Sequence, residues 1–178
     1  MKPSIRSRTP HDMDGCVEAL AAVQRVDRYP VDWPADPARW LTPADLVSAW
    51  VALDDEGVVG HVGLSRIPLA SLGPALAQAV GASGELVGAV TRLFVTPRGR
   101  GHGLARDLLA TVRKDAAARG LPLVLDVSDE GQAAVALYER AGWRRVASAR
   151  ARWLNSAGEH ALVHSYVSPD VQNGLHGR

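Results

Sequence analysis

Leu86-Val87-Gly88-Ala89-Val90-Thr91-Arg92-Leu93-Phe94-Val95-Thr96-Pro97-Arg98-Gly99-Arg100-Gly101-His102-Gly103-Leu104-Ala105 runs through three kinds of local structure without a break. Leu86 to Val95 is an apolar run interrupted by Thr91 and Arg92, which reads as a central strand, and Pro97 stops it. Beyond the glycines, Leu104, Leu108 and Val112, with Ala105, Leu109 and Ala116, form a helical stripe, while Arg106, Asp107, Arg113 and Lys114 fall outside it. Gly120 closes that helix as a C-cap glycine.

A strand, a proline and then Arg-x-x-Gly-x-Gly opening a helix gather backbone N–H groups and a helix N-terminus around one point. That is an anion site. Gly99, Gly101 and Gly103 permit the backbone conformations and close approach that a pyrophosphate needs, and Arg98 and Arg100 add charge. Three other glycine motifs fail on the same chain. A dinucleotide fingerprint begun at Gly99 or Gly101 needs a glycine at position 104 or 106, where Leu104 and Arg106 stand. A Walker loop needs Gly-Lys-Ser/Thr, and Lys114 lies deep in the helix. Gly81-Ala82-Ser83-Gly84-Glu85 lacks the second glycine of a nucleophile elbow at its proper place.

Working toward the N-terminus, residues 71–84 are dominated by Ala, Gly and Ser without a strong period and read as a loop or a weak short helix. Residues 48–53 and 58–64 are apolar and β-branched and flank Asp54-Asp55-Glu56-Gly57, the punctuation of a hairpin. In residues 29–43 the pattern breaks, and Pro30, Pro34 and Pro37 forbid a continuous helix. The stretch forms a structured loop whose Tyr29, Trp33 and Trp40 either line a substrate pocket or pin the loop to the core. Thr9-Pro10-His11-Asp12 opens a first helix with an N-cap, a proline and an acid three residues on. Cys16, Leu20 and Val23 give that helix a buried face, so Cys16 reads as core, and Ile5 begins a short strand before it.

Toward the C-terminus, residues 123–127 are a compact strand and residues 133–141 a helix closed by Gly142, with Ala134, Leu137, Tyr138 and Ala141 on its apolar side. Residues 143–153 and 161–167 flank Asn155-Ser156-Ala157-Gly158 and read as a final hairpin. The order is β-α-loop-β-β-β-α-β-α-β-β.

Composition sets the outer bounds. The 178 residues are 47% hydrophobic, enough for one domain with a substantial core, read as spanning 1–178. Basic and acidic residues nearly cancel, at 20 against 19, so no global field favours nucleic acid or a membrane surface. Cys16 is the single cysteine, which rules out an internal disulfide and a thiolate zinc cluster. His160 and His164 lie on a strand, at about 3.3 Å per residue roughly 13 Å apart, too far to share one ion. No metal is expected. The N-terminus has no apolar leader and no run approaches the ~18 residues of a membrane span, so the expected location is cytoplasmic. Arg144, Arg145, Arg150 and Arg152 are read as a solvated sheet edge rather than a nucleic-acid platform.

The run from Arg92 to Ala105 closely resembles the acetyl-CoA motif of the GNAT superfamily of N-acetyltransferases. Ala136-Leu137-Tyr138-Glu139-Arg140-Ala141-Gly142-Trp143 resembles that family's second signature, a tyrosine helix ending in Gly-aromatic. The two signatures stand in order within the expected strand pattern. The resemblance implies an α/β (α+β) fold: a mixed, mostly antiparallel central sheet flanked by helices and splayed at the acyl-CoA site. It implies acetyl-CoA as acyl donor, with backbone groups of Leu93, Phe94 and Val95 meeting the pantetheine arm. Arg98, Gly99, Arg100, Gly101, His102, Gly103, Leu104 and Ala105 would hold the pyrophosphate, and Tyr138 would protonate the departing thiolate. A small-molecule or peptide amine is the implied acceptor, and superfamily members are often homodimers. Two positions depart from the family pattern. Ala89 stands where a glutamate is common, leaving Glu85, four residues earlier, as the candidate base or water holder, and Gly131 stands where an asparagine often opens the tyrosine helix.

The chemistry implied is direct attack of a neutral amine on a thioester. A lysine-like amine of pKa about 10.4 is neutral in about one molecule in 2,500 at pH 7, a cost of roughly 4.6 kcal/mol, so its proton needs an acceptor. Glu85 is one candidate, and His61 is read either as a satisfied strand histidine or as a base. The missing glutamate and asparagine keep a second class open, a non-catalytic acyl-CoA-binding or interaction module.

Overall fold

The computed structural model describes residues 2–81 and 84–171, so Ala82 and Ser83 of the rejected nucleophile elbow lie outside the described residues. The strands are β1 (Ser4–Ser7), β2 (Leu46–Asp54), β3 (Gly57–Pro68), β4 (Leu86–Val95), β5 (Leu123–Ser128), β6 (Arg144–Leu154) and β7 (His160–Val167). The helices are α1 (Met13–Asp27), α2 (Pro37–Trp40), α3 (Pro74–Val80), α4 (Leu104–Ala118) and α5 (Gln132–Arg140). One mixed sheet of seven strands has the order β1-β2-β3-β4-β5-β7-β6, with β4 at its centre. Pairings β1–β2, β2–β3, β5–β7 and β6–β7 are antiparallel, and β4–β5 is parallel. That parallel register joins Gly88 to Leu123 and Ala89 to Val124, while β4 continues to Val95 and β5 to Ser128.

The chain divides into two compact units, Met1–Ser65 with Val90–Lys114, and Arg66–Ala89 with Asp115–Arg178. In the first unit, Thr9 N–H donates to the Asp12 carboxylate at 2.7 Å, and Arg6 donates to both of its oxygens at 2.8 Å. Those Arg6 bonds hold the Asp12 carboxyl well below the usual carboxylate range. This capped turn launches α1, whose Cys16, Ala19, Leu20 and Val23 pack with Leu41, Val51 and Phe94. Burial pushes the Cys16 thiol up to about 11, which leaves it inert at neutral pH. Strand β3 runs past the residue-64 limit read from sequence, because Ser65 is accommodated inside it. Its hydroxyl donates to Asp45 at 2.9 Å, so a buried polar residue does not end the strand.

In the second unit, α3 forms within the Ala-rich stretch that carries no periodic signal. Pro74 occupies its first turn, and Leu76 and Val80 pack against Val87, Val124 and Val167. Its Ala, Leu and Gln favour a helix, but seven residues are too few to hold one alone, and tertiary burial decides it. Helix α5 ends at Arg140, and Gly142 just beyond its cap, with a φ of +83°, makes the C-terminal turn. Strand β6 is the terminal strand of the sheet, and Arg144, Arg145, Arg150 and Arg152 on it are all exposed, Arg145 paired with Glu139 at 2.8 Å. His160 and His164 both lie on β7.

Candidate active site

The glycine segment follows β4 through a 3-10 turn, Pro97–Gly99, whose cap is Thr96. Thr96 N–H donates to Val59 at 2.9 Å, and the Thr96 hydroxyl accepts from Gly99 N–H at 3.2 Å. The three glycines do different things. A Cβ on Gly99 would meet the Val59 carbonyl oxygen at 2.9 Å, so this glycine lets the turn lie directly on β3. Gly101 and Gly103 instead adopt φ of +81° and +70°, the left-handed region that glycine enters without strain. Above Gly101 there is open space, with no heavy atom within 4 Å of a built Cβ. Asp107 N–H donates to Gly103 at 3.0 Å and opens α4, so the amides of Leu104, Ala105 and Arg106 precede the first helical bond and have no intrahelical acceptor. Open backbone, positive φ and a helix N-terminus together fit a pyrophosphate.

Both loop arginines already have carboxylate partners. Arg98 pairs with Asp54 at 3.0 Å and Glu56 at 2.7 Å in the β2–β3 turn, and Arg100 pairs with Asp27 at the end of α1. They tie the loop to its neighbours, and their charge is partly spoken for. His102 is exposed, with Nδ1 at 3.3 Å from the Gly99 carbonyl.

Immediately before Leu93, Phe94 and Val95, the strand carries a backbone irregularity that the sequence did not announce: Arg92 has φ of +53°. A non-glycine residue in this conformation persists only where its surroundings fix it. The Arg92 carbonyl lies 2.8 Å from Nδ1 of the fully buried His61, whose Nε2 lies 2.9 Å from the Arg8 guanidinium. Because arginine only donates, Nε2 accepts, and the ring is the neutral tautomer with its proton on Nδ1. The His61 ring also stacks on Phe94 at 5.4 Å. Burial, with smaller contributions from the charges of Arg8 and Arg92, pushes the His61 pKa down to about 4, against the opposing bond to the Arg92 carbonyl. With both nitrogens engaged, His61 supports the satisfied-strand reading and has no lone pair to serve as a base.

A pH dependence follows. A histidine whose folded pKa lies below its unfolded value of about 6.5 is protonated on unfolding, so its contribution to stability is present above pH 6.5 and is lost as pH falls toward 4. The stability gap between the parent and His61→Gln should therefore narrow by about 3 kcal/mol between pH 7 and pH 4. Urea unfolding of both proteins measures this, and a constant gap would show that His61 accepts a proton in the folded state.

The loop residues read as a pocket separate into two kinds. Trp40 carries the Arg92 guanidinium on its ring at 3.8 Å, and Tyr29 meets Trp40 edge-on at 6.0 Å. Trp33 is 42% exposed and stands apart from these contacts. In the second unit, Tyr138 is buried, with its ring 5.9 Å from Trp143 and 6.0 Å from Tyr166. Tyr166 donates to Glu139 at 2.9 Å and accepts from Arg145 at 3.1 Å, which completes a polar edge to that cluster. Glu85 is exposed just before β4, and its carbonyl accepts from Leu69 N–H at 2.8 Å.

The model of the acetyltransferase (GNAT) family matches residues 17–143, which contain β4, the glycine turn, α4 and the tyrosine helix. The chain belongs to the GNAT acetyltransferase family. No curated protein matches it in sequence. Arabidopsis thaliana NAA60 in complex with a bisubstrate analogue shares 20% identity over 93% of this chain and 96% of that one, with a TM-score of 0.75. The same plant protein in complex with acetyl-CoA gives 21% identity over 93% and 97%, and a TM-score of 0.74. The ribosomal-protein-S18-alanine N-acetyltransferase of Escherichia coli gives 16% identity over 98% and 97%, and a TM-score of 0.64. At these identities the likeness is one of fold. Among the described residues, no helix of the GNAT chain is long and apolar enough to cross a membrane, and no three potential metal ligands converge.

Proposed function

We propose that this GNAT protein transfers an acetyl group from acetyl-CoA to a primary amine by direct attack, without an acyl-enzyme. The single observation that carries the reading is the turn between β4 and α4, where Gly101 and Gly103 have left-handed backbone and the first amides of α4 stand free of helical acceptors. Those amides bind the pyrophosphate of CoA, and the ion-paired Arg98 and Arg100 brace the loop more than they charge it. Backbone groups of Leu93 to Val95 hold the pantetheine arm and polarise the thioester carbonyl. Tyr138 gives its proton to the leaving thiolate, and Glu85 relays the amine proton through water. Solved complexes of the Arabidopsis neighbour with acetyl-CoA and with a bisubstrate analogue support a donor and an acceptor on this fold.

Ala89 and Gly131 favour a second reading, a binder of acyl-CoA without turnover. Incubation with acetyl-CoA and a panel of amines separates the two. Acceptor-dependent release of free thiol is expected, and a protein that binds CoA but releases none with any amine would be the binder.

The acceptor side is proposed to lie at Tyr29, Trp33 and Trp40. Replacing the exposed Trp33 by alanine should raise the acceptor's KM several-fold more than that of acetyl-CoA, with the fold intact by circular dichroism. Equal changes in both constants would assign Trp33 to packing alone.

A further inference from the structure

Arg92 is a cation in the middle of the central strand, half-buried, and among the described residues no carboxylate lies within ion-pair distance of it. Arg6, Arg98, Arg100, Arg106, Arg119 and Arg145 all pair with carboxylates. Arg8, also without one, donates to the Leu41 carbonyl, the Thr42 hydroxyl and His61 Nε2 at 2.8–2.9 Å. Arg92 is fixed differently. Its Nε donates to the Trp40 carbonyl at 3.2 Å and its guanidinium lies on the Trp40 ring, which Tyr29 meets edge-on at 6.0 Å.

A guanidinium has five N–H donors in one plane. The Trp40 carbonyl engages the one on Nε, and those on the terminal nitrogens form the fork that matches a carboxylate or phosphonate in a bidentate bond. The backbone beneath is fixed as well. The left-handed turn at Arg92 re-aims the side chain within the strand, and the bond between His61 Nδ1–H and the Arg92 carbonyl holds that turn in place. A stiffened, half-desolvated cation without a counter-charge is pre-organised for an anion that arrives with a ligand.

We propose that Arg92, held against Trp40, is the specificity residue for the acceptor, and that the acceptor is a small primary amine carrying a carboxylate or phosphonate. This deepens the acetyltransferase reading and rests on it for the identity of the ligand. His61 is a positioning residue that acts through the Arg92 backbone.

The test uses matched amines that differ in one group: a carboxylate, the phosphonate analogue and the neutral carboxamide. Turnover is followed by thiol release, and binding by calorimetry in the presence of a non-reactive CoA thioether. In the parent, kcat/KM for the carboxylate or phosphonate should exceed that for the carboxamide by about tenfold to a hundredfold, the range for hydrogen bonds to charged groups. In Arg92→Gln that ratio should fall to near one. Arg92→Gly, which suits a φ of +53° and keeps the carbonyl that His61 grips, should remain folded and lose the same discrimination. A ratio near one in the parent, or one unchanged in folded Arg92→Gln and Arg92→Gly, overturns the proposal. So does a loss of CoA affinity that matches the loss of acceptor affinity, because the oxyanion would then be a CoA phosphate. If the anionic amine binds the parent and not Arg92→Gln but no thiol is released, the anion site stands and the transferase reading falls. If neither the anionic nor the neutral amine binds, the anion site falls.

Discussion

Gly101→Glu is expected to raise the dissociation constant for CoA by at least about 100-fold, some 2.7 kcal/mol, in a protein that still folds. The loop geometry separates the two effects of the substitution. No heavy atom lies within 4 Å of a Cβ at position 101, so the side chain starts into open space, and the strain of a φ of +81° in an L-residue is roughly 1–2 kcal/mol. Its carboxylate would sit at the N-terminus of α4 and satisfy the same amides that would hold a pyrophosphate. Gly101→Asn carries less strain and no charge, and should weaken binding less than tenfold. Calorimetric titration with CoA compares the three proteins. Unchanged affinity in a folded Gly101→Glu variant would remove the pyrophosphate from this loop. Gly99 makes a poor site for the same test, because any side chain there collides with the Val59 carbonyl and disturbs the turn itself.

That difference among three adjacent glycines marks where the sequence stops being legible. Strand, turn and α4 could be read directly because their signals are local: an apolar run, Pro97, the glycines, and a helical stripe from Leu104 to Ala116 whose Leu104, Leu108, Leu109, Val112 and Ala116 are all buried. The order of the longer elements followed from the same local signals. Which glycine touches β3 depends on Val59, forty residues away in the chain, and no local pattern carries that. The partners of the loop arginines are equally remote, since Arg98 reaches Asp54 and Glu56 and Arg100 reaches Asp27. Reading those arginines as free charge for an anion overlooked counter-charges that only the fold brings close. Arg92 is the clearest omission. Its presence in an apolar strand was visible, but its left-handed backbone was not, because arginine gives no local sign of that conformation and its support comes from His61 and Trp40.

Tyr138→Phe is expected to lower kcat with acetyl-CoA by about 10²–10⁴-fold, the usual worth of general acid catalysis, while leaving CoA affinity nearly unchanged. The competing explanation is substantial, since the ring is buried against Trp143 and Tyr166 and would be retained for packing alone. Phenylalanine keeps that ring and removes only the hydroxyl, so a purely packing role predicts almost unchanged turnover. The two roles also differ in their dependence on the leaving group. A thiolate of lower pKa departs with less help from an acid, so an activated thioester should shrink the defect of Tyr138→Phe if the hydroxyl donates the proton. A structural defect would persist with both donors. Steady-state kcat must be accompanied by a presteady-state measurement of the chemical step, because slow product release would mask loss of the acid. A chemical step in Tyr138→Phe within about threefold of the parent on acetyl-CoA, where thiolate departure limits that step, would exclude Tyr138 as the principal acid.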